Sequence, residues 1–134
     1  MRIWILLVLS AFAFVAGCKQ STPTTSETLL KALKAGGVEY SDVQHPNRKP
    51  SSPLPNSYRE HIVFVLPSVA PKGGQIFICE KPEYCDALFS YFDGFKGLAG
   101  PYLYRSASGL VVAQLNSGLE SKAAEQVQAV IEAL

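Results

Sequence analysis

The sequence lacks the charge and ligand patterns of nucleic-acid-binding proteins and of metalloproteins. Its 134 residues carry 12 Lys and Arg against 11 Asp and Glu, so the formal net charge is only +1. Because phosphate backbones are bound mainly by an excess of Lys and Arg, we predict no nucleic-acid partner. Only two histidines, His45 and His61, are present, and the cysteines lack the paired C-x2–4-C spacing of zinc sites. We therefore expect no metal site and no cofactor.

Familiar catalytic motifs are missing as well. There is no G-x-S-x-G motif and no glycine-rich phosphate loop followed by Lys-Ser or Lys-Thr. Ser106 and Ser108 fall in a predicted hairpin turn, where serine is common. We name no catalytic residue and expect no enzymatic activity. The alternative is an envelope hydrolase whose site combines His61 with the proline-rich loop 45–58.

A long hydrophobic run is also absent, since the longest apolar run, 3–14, is shorter than the ~20 residues that span a bilayer. This run follows the positive residue Arg2 and ends in small residues. A positive start, a short apolar run and small residues at its end are typical of a secretory signal peptide. We predict that residues 1–17 are a cleaved signal peptide and that the polar segment 18–25 is a flexible tether.

Residues 15–18, Val-Ala-Gly-Cys, resemble the lipobox of bacterial lipoproteins. The resemblance implies that the sulfur of Cys18 receives a diacylglycerol and that cleavage makes Cys18 the new N-terminus. It also implies acylation by palmitate or a similar chain, because stable anchoring needs more than one acyl chain. The expected location is the extracytoplasmic face of the cell membrane or of an outer membrane, with the lipid as the membrane contact.

The other two cysteines, Cys79 and Cys85, have the spacing C-x5-C. This spacing fits neither a zinc site nor a C-x-x-C redox motif. Because an exported domain lies in an oxidising compartment, we predict a structural disulfide between them. The alternative is two separate buried thiols, since Cys85 also falls on the apolar stripe of a predicted helix.

Hydrophobic periodicity and turn residues predict one α+β domain over 26–134. We expect an antiparallel sheet of about five strands with the helices packed on one face. Two capping-box spacings, Thr24 with Glu27 and Ser117 with Glu120, are expected to begin the first and last helices. The predicted elements are a helix at 26–35, a weak strand at 38–43, a hairpin of strands 60–66 and 75–80, a helix from Pro82, a second hairpin on either side of 106–109, and a helix at 119–134.

Most of the predicted domain also resembles small extracytoplasmic bacterial lipoproteins of unknown function. The stretches GGQIFICEKPEYCDALFSYF and GPYLYRSASGLVVAQLN carry this resemblance. It implies the fold and the anchoring, and it implies no catalytic residue.

An aromatic cluster near the end of the sequence gives the candidate binding surface. Tyr102 and Tyr104 alternate with Leu103, so both should point to one side of the sheet, with Arg105 nearby. If that side carries no helix, these residues form a binding surface; if it carries helices, the tyrosines belong to the core. We therefore predict a lipid-anchored, non-catalytic module that binds a protein or small ligand or supports the envelope. An inhibitor or immunity-type protein is a further alternative.

Overall fold

The computed structural model describes residues 22–134, so the predicted signal peptide 1–17 and the predicted lipidation site Cys18 lie outside the described residues. The described residues form a five-stranded sheet and three helices of ten or more residues, which confirms the predicted α+β class. In chain order the elements are α1 (Ser26–Ala35), β1 (Ser41–Gln44), β2 (Tyr58–Val65), a short 3₁₀ helix (Pro67–Val69), β3 (Gly73–Cys79), α2 (Pro82–Gly94), the one-turn α3 (Lys96–Ala99), β4 (Leu103–Arg105), β5 (Val111–Leu115) and α4 (Ser121–Glu132).

All neighbouring strands of the sheet are antiparallel, in the order β1-β2-β3-β5-β4. The central strand is β3, where Ile76 lies opposite Ile62 of β2 and Ala113 of β5. Successive side chains of a strand point to opposite faces, so Ile76 and Phe77 contribute to different cores. The sheet therefore has two apolar faces, and both need cover.

One face, which we call the α1/α4 face, is covered by α1 and α4 and has an aliphatic core. Leu29 and Leu33 on one side of α1 are fully buried, as are Val127 and Ile131 of α4. The buried residues of this core are Leu29, Leu33, Val38, Ile62, Phe64, Leu66, Ile76, Ile78, Val111, Ala113, Leu115, Leu119, Ala124, Val127 and Ile131. The four-residue spacing of Leu29 and Leu33 in α1 is part of the amphipathic pattern that predicts a helix there.

The opposite face, the α2 face, is covered by α2 and has a separate core. Its buried residues are Tyr58, Phe77, Cys79, Cys85, Leu88, Phe92, Leu103 and Val112. The prediction that all helices pack on one face is therefore wrong. The physical reason lies in β3 and β5, which are apolar at consecutive positions, as in strands that are buried on both sides.

The beginning of α2 is fixed by a proline and a cysteine pair. Pro82 occupies the first turn, where its missing N–H leaves no helical hydrogen bond unmade. The sulfur atoms of Cys79 and Cys85 lie at disulfide distance, with their Cα atoms 5.8 Å apart. Both cysteines are buried. The pair predicted from the sequence is thus present and joins the end of β3 to α2.

The helix caps differ from the predicted capping boxes. Thr25, not Thr24, caps α1, and its hydroxyl accepts a hydrogen bond from the backbone N–H of Thr28. In return, the Thr28 hydroxyl accepts a bond from the Thr25 N–H at 2.9 Å, so a threonine takes the role expected of Glu27. At α4 the N-cap is Glu120, which makes no side-chain capping bond. The two predicted boxes are therefore wrong, although the predicted bounds of α1 agree with the structure.

Candidate functional site

A row of aromatic rings crosses the α2 face of the sheet. The imidazole of His61 stacks on Phe77 with ring centroids 4.2 Å apart, and Phe77 lies 5.7 Å from Phe92 of α2. Tyr91 packs edge-on against Phe92 at 5.3 Å and contacts Phe95 at 5.1 Å. The row therefore runs from the buried middle of the sheet to the exposed end of α2.

At that end, Tyr91, Phe95 and Leu98 form an exposed apolar surface, which we call the distal patch. Leu98 is 88% exposed and Phe95 46% exposed. Together with Phe92, these residues line an open groove of about 300 Å³. Contiguous apolar surface on a soluble domain is often an interaction site. The distal patch is therefore the strongest candidate binding surface in the described part of the chain.

The chain enters the domain at the other end of the sheet. The backbone N–H of Ser26 donates a 2.9 Å hydrogen bond to the carboxylate of Glu60, and the guanidinium of Arg59 donates to the Thr24 carbonyl. Glu60 and Arg59 lie at the start of β2, where Tyr58 is paired with Cys79, the last residue of β3. The segment that follows Thr22 is thus held near the Cys79 end of the sheet.

The distal patch lies near the opposite end. After α3 the chain passes Gly100, which lies so close to Ser117 that a Cβ on Gly100 would collide with it. Ser117 lies just beyond the last residue of β5. The end of β5 lies beside the first residues of β3, since Leu115 is paired with Gly74. Strand β3 has seven residues, so its two ends lie roughly 20 Å apart. The domain therefore has its chain entry and its exposed patch at opposite ends.

A line of polar side chains also crosses the α2 face. The Nε2 atom of His61 lies 3.0 Å from Oε1 of Gln75, and Gln75 Nε2 donates to Oε1 of Gln114 at 3.0 Å. The amide of Gln114 then donates to the Leu115 carbonyl at 2.9 Å. Since Gln75 Oε1 is an acceptor, Nε2 of His61 carries the proton. Burial lowers the pKa of His61, against the opposing effect of the Gln75 hydrogen bond.

His61 also lines a cleft of about 270 Å³ with residues of the proline-rich loop, including His45 and Arg48. The Arg48 guanidinium lies 4.9 Å from the ring centroid of Tyr58, so the loop is held against β2. The neighbouring carboxylate of Glu60 is bound by Ser26 and Arg59. Its burial would raise its pKa, but hydrogen bonds from Ser26 and the charge of Arg59 hold that pKa below its ordinary value. The structure thus does not pair Glu60 with the imidazole.

The predicted surface of Tyr102, Tyr104 and Arg105 is not brought together. Both tyrosines pack, half-buried, against the core of the α1/α4 face. Burial, with the charges of nearby acidic residues on α4 among the smaller causes, raises the pKa of Tyr104. Arg105 points to the opposite face, where it forms an ion pair with Asp86 of α2. The structure therefore places the two tyrosines and Arg105 on different faces of the sheet, with the tyrosines packed against the α1/α4 core.

No protein-family model, curated protein or solved structure matches the chain. Among residues 22–134, no group of three or more His, Cys, Asp or Glu could hold a metal ion. No helix in the same range is long and apolar enough to cross a membrane.

The sequence contains a partial signal for the distal patch. Cys85, Leu88 and Phe92 form the buried stripe of α2, and all three are buried in the structure. Tyr91 lies at the edge of that stripe, and Phe95 follows Gly94, the last residue of α2, so both are harder to bury than Leu88 and Phe92. Leu98 was missed altogether, because its exposure depends on α3, a single turn that periodicity does not reveal.

Proposed function

We propose that the protein is a lipid-anchored extracytoplasmic module that is non-catalytic and binds a partner through the distal patch. The observation that carries this proposal is the exposed apolar surface of Tyr91, Phe95 and Leu98 at the end of the sheet away from the chain entry. The resemblance of residues 15–18 to a lipobox supports the lipid anchor.

The short tether supports a defined arrangement at the membrane. Seven residues lie between Cys18 and Ser26, the first residue of α1, so the eight Cα–Cα steps of a fully extended tether reach about 28 Å. The Cys79 end of the sheet then stays near the bilayer surface. The distal patch, roughly 20 Å further along the sheet, is available to a partner on the other side of the domain.

The alternative of an envelope hydrolase finds little support in the geometry of His61. Its Nε2 proton is held by Gln75, and its ring is stacked on Phe77. In residues 22–134 no hydroxyl, thiol or carboxylate forms a hydrogen bond with the imidazole, so a nucleophile–base pair is not assembled. An inhibitor or immunity-type protein would use the same distal patch, and the identity of its partner would distinguish it from an envelope-supporting module.

The anchor is tested by Cys18→Ser in the full-length protein produced in a bacterial host. We expect the wild type in the detergent-extracted membrane fraction, labelled by a palmitate analogue, and the variant without label and outside that fraction. Gln20→Ser, two residues away, is the matched control and should behave as the wild type. A Cys18→Ser protein that stays fully in the membrane fraction would show that the lipid proposal is wrong.

A further inference from the structure

The cleft between the proline-rich loop and the start of β2 brings two arginines together, and we call it the arginine cleft. It measures about 270 Å³, with one wall from residues 45–48 of the loop and the other from residues 58–61 of β2. This volume suits a small molecule, since pockets for such ligands begin at about 300 Å³. The arginine cleft lies at the end of the sheet where the chain enters, away from the distal patch.

A β-bulge shapes the β2 wall of the arginine cleft. The step from Tyr58 to Glu60 matches a single step along β3, so Arg59 is an extra residue in β2. In a regular strand, Tyr58 and His61 would point to opposite faces because they are three residues apart. The bulge lets both rings contact Phe77, with centroid distances of 5.1 and 4.2 Å. Bulges often lie beside binding sites, where they redirect side chains.

The loop wall contributes an arginine that the fold leaves without an acceptor. The guanidinium of Arg48 lies 4.9 Å from the ring centroid of Tyr58, and this contact holds it over the β2 wall. Within residues 22–134, no carboxylate, carbonyl or hydroxyl accepts a hydrogen bond from Arg48. Its five N–H groups are therefore available to an anion. Asn47, beside it in the same wall, adds an uncharged donor.

The β2 wall contributes a second arginine, which the fold uses only in part. Arg59 donates from Nε to the carboxylate of Glu60, and another of its N–H groups donates to the Thr24 carbonyl. Because a guanidinium carries five N–H groups, three remain. Arginine binds carboxylates and phosphates through two parallel hydrogen bonds. Arginines on both walls can therefore bind the oxygens of one anion from two sides.

The charges of the arginine cleft favour an anion. Among its described lining residues are two arginines and a single carboxylate, that of Glu60. This carboxylate already accepts hydrogen bonds from the backbone and hydroxyl of Ser26 and from Arg59, so its charge is compensated within the fold. The charge of Arg48 is not compensated in this way. A phosphate ester offers three acceptor oxygens and a carboxylate two, so a phosphate meets more of the donors on the two walls.

We propose that the arginine cleft binds the phosphate group of a small phosphate ester or of a phospholipid headgroup. A neighbouring carboxylate limits the ligand to one phosphate. A second cleft, of about 380 Å³, shares Arg48 and Arg59 with the arginine cleft and is also lined by Glu80. Glu80 is exposed and has no ion-pair partner in the described part of the chain, so it repels a second phosphate.

The position of the arginine cleft permits both sources of the phosphate group. Thr24, which is bound by Arg59, lies six residues after Cys18, a distance of roughly 20 Å when extended. Phospholipid headgroups are therefore within reach if Cys18 carries the proposed lipid, and this source alone rests on the proposed function. A soluble ester needs no anchor.

The test is a calorimetric titration of the full-length protein in a neutral, phosphate-free detergent with glycerol 3-phosphate. We expect one saturable site with a dissociation constant of roughly 0.1–1 mM. Acetate at the same ionic strength should bind at least about tenfold more weakly. No saturable binding, or equal binding of acetate, would overturn the inference. Pyrophosphate should bind no more tightly than inorganic phosphate, and tighter binding would contradict the limit set by Glu80.

Variants of Arg48 locate the site. Arg48→Gln should weaken binding of glycerol 3-phosphate at least about tenfold, because it removes a charge and its paired donors. Arg48→Lys keeps the charge without the planar fork, so its affinity should lie between the two. Lys122→Gln, at an exposed position on α4, removes the same charge elsewhere and should bind as the wild type. Each variant should melt within about 2 °C of the wild type. Equal affinities of Arg48→Gln and Lys122→Gln would overturn the inference.

The source of the phosphate group is decided by the same titration in vesicles. Phosphatidylcholine vesicles contain either phosphatidylglycerol or, as the control for surface charge, oleate. If headgroups occupy the arginine cleft, glycerol 3-phosphate should bind at least about tenfold more weakly with phosphatidylglycerol than with oleate. Equal affinities would assign the cleft to soluble esters, and both results support a phosphate site. Retention of Cys18→Ser in the membrane fraction would overturn the anchor and leave the titration in detergent intact, so the two proposals fail separately.

Discussion

The two faces of the sheet differ in how completely they are covered. Two helices cover the α1/α4 face, and its core is almost entirely aliphatic and buried. One helix covers the α2 face, where a disulfide pair, a row of aromatic rings and a line of polar side chains lie side by side. The α2 face also ends in the exposed distal patch. This difference indicates that the α1/α4 face mainly stabilises the fold, while part of the α2 face stays exposed and is available for binding.

The largest expected effect is on the α1/α4 face, at Ile76. This side chain is fully buried in the central strand, so Ile76→Ala should lower the free energy of unfolding by about 2–5 kcal/mol through lost burial and a cavity. Val63, in the adjacent strand, points to the α2 face and is half-buried, so Val63→Ala should cost about 1 kcal/mol or less. Urea denaturation measures both values. Equal losses for the two variants would contradict the contrast between the faces.

The next effect concerns the cysteine pair of the α2 face. Closing a loop of about seven residues should contribute roughly 2 kcal/mol by restricting the unfolded chain, so the double variant Cys79→Ala/Cys85→Ala should lose about that much. The measurement is again denaturation, with and without reductant. The double variant should be insensitive to the reductant, and the wild type should fall to nearly the same stability. The intact mass of the wild type should rise by two hydrogens on reduction, and an unchanged mass would show that no bond is present.

A smaller effect is expected at the beginning of α1. Thr25→Ala removes the bond that the Thr25 hydroxyl accepts from the backbone N–H of Thr28 and should cost about 1 kcal/mol. Thr24→Ala is the matched control, because its side chain makes no capping bond with α1, and it should change the stability by less than about 0.5 kcal/mol. Denaturation measures both losses. A larger loss of stability in Thr24→Ala than in Thr25→Ala would support the capping box that the sequence predicts at Thr24.

The fold could be predicted from the sequence wherever one segment determines its own structure. The leucine spacing of α1, Pro82 at the start of α2, and the apolar runs of β2 and β3 each identify an element locally. The face of the sheet on which each helix packs could not be predicted in this way. It depends on which distant helix reaches which side of the sheet, and the alternation of Tyr102 with Leu103 indicates only that the two side chains diverge.

The candidate site shows the same limit. The sequence indicates that Tyr91 and Phe95 are harder to bury than Leu88 and Phe92, because the edge of a helical stripe and the end of a helix at Gly94 are local properties. It does not indicate that Leu98 is exposed, since this depends on the path of α3. It also does not indicate that Arg105 is paired with Asp86, because that contact joins a strand to a helix some twenty residues earlier.

The smallest expected effect is a pH dependence that belongs to the α2 face alone. Burial lowers the pKa of His61 in the folded protein, so the unfolded chain binds a proton more readily than the folded one. The free energy of unfolding should therefore decrease as the pH falls below about 6.5, and it should level off once the folded imidazole is also protonated. The carboxylate of Glu60 loses its contribution to the stability only in more acid solution, as the pH falls below its ordinary pKa of 4.5. A comparison of pH 7.5 with pH 5.5 therefore isolates the effect of the histidine.

His61→Phe keeps a ring against Phe77 and removes the group that binds the proton. The stability of this variant should change less between the two pH values than that of the wild type. His45→Asn removes the other histidine and should keep the wild-type dependence. If His61→Phe showed the same loss of stability on acidification as the wild type, the burial of His61 on the α2 face would not couple its protonation to folding.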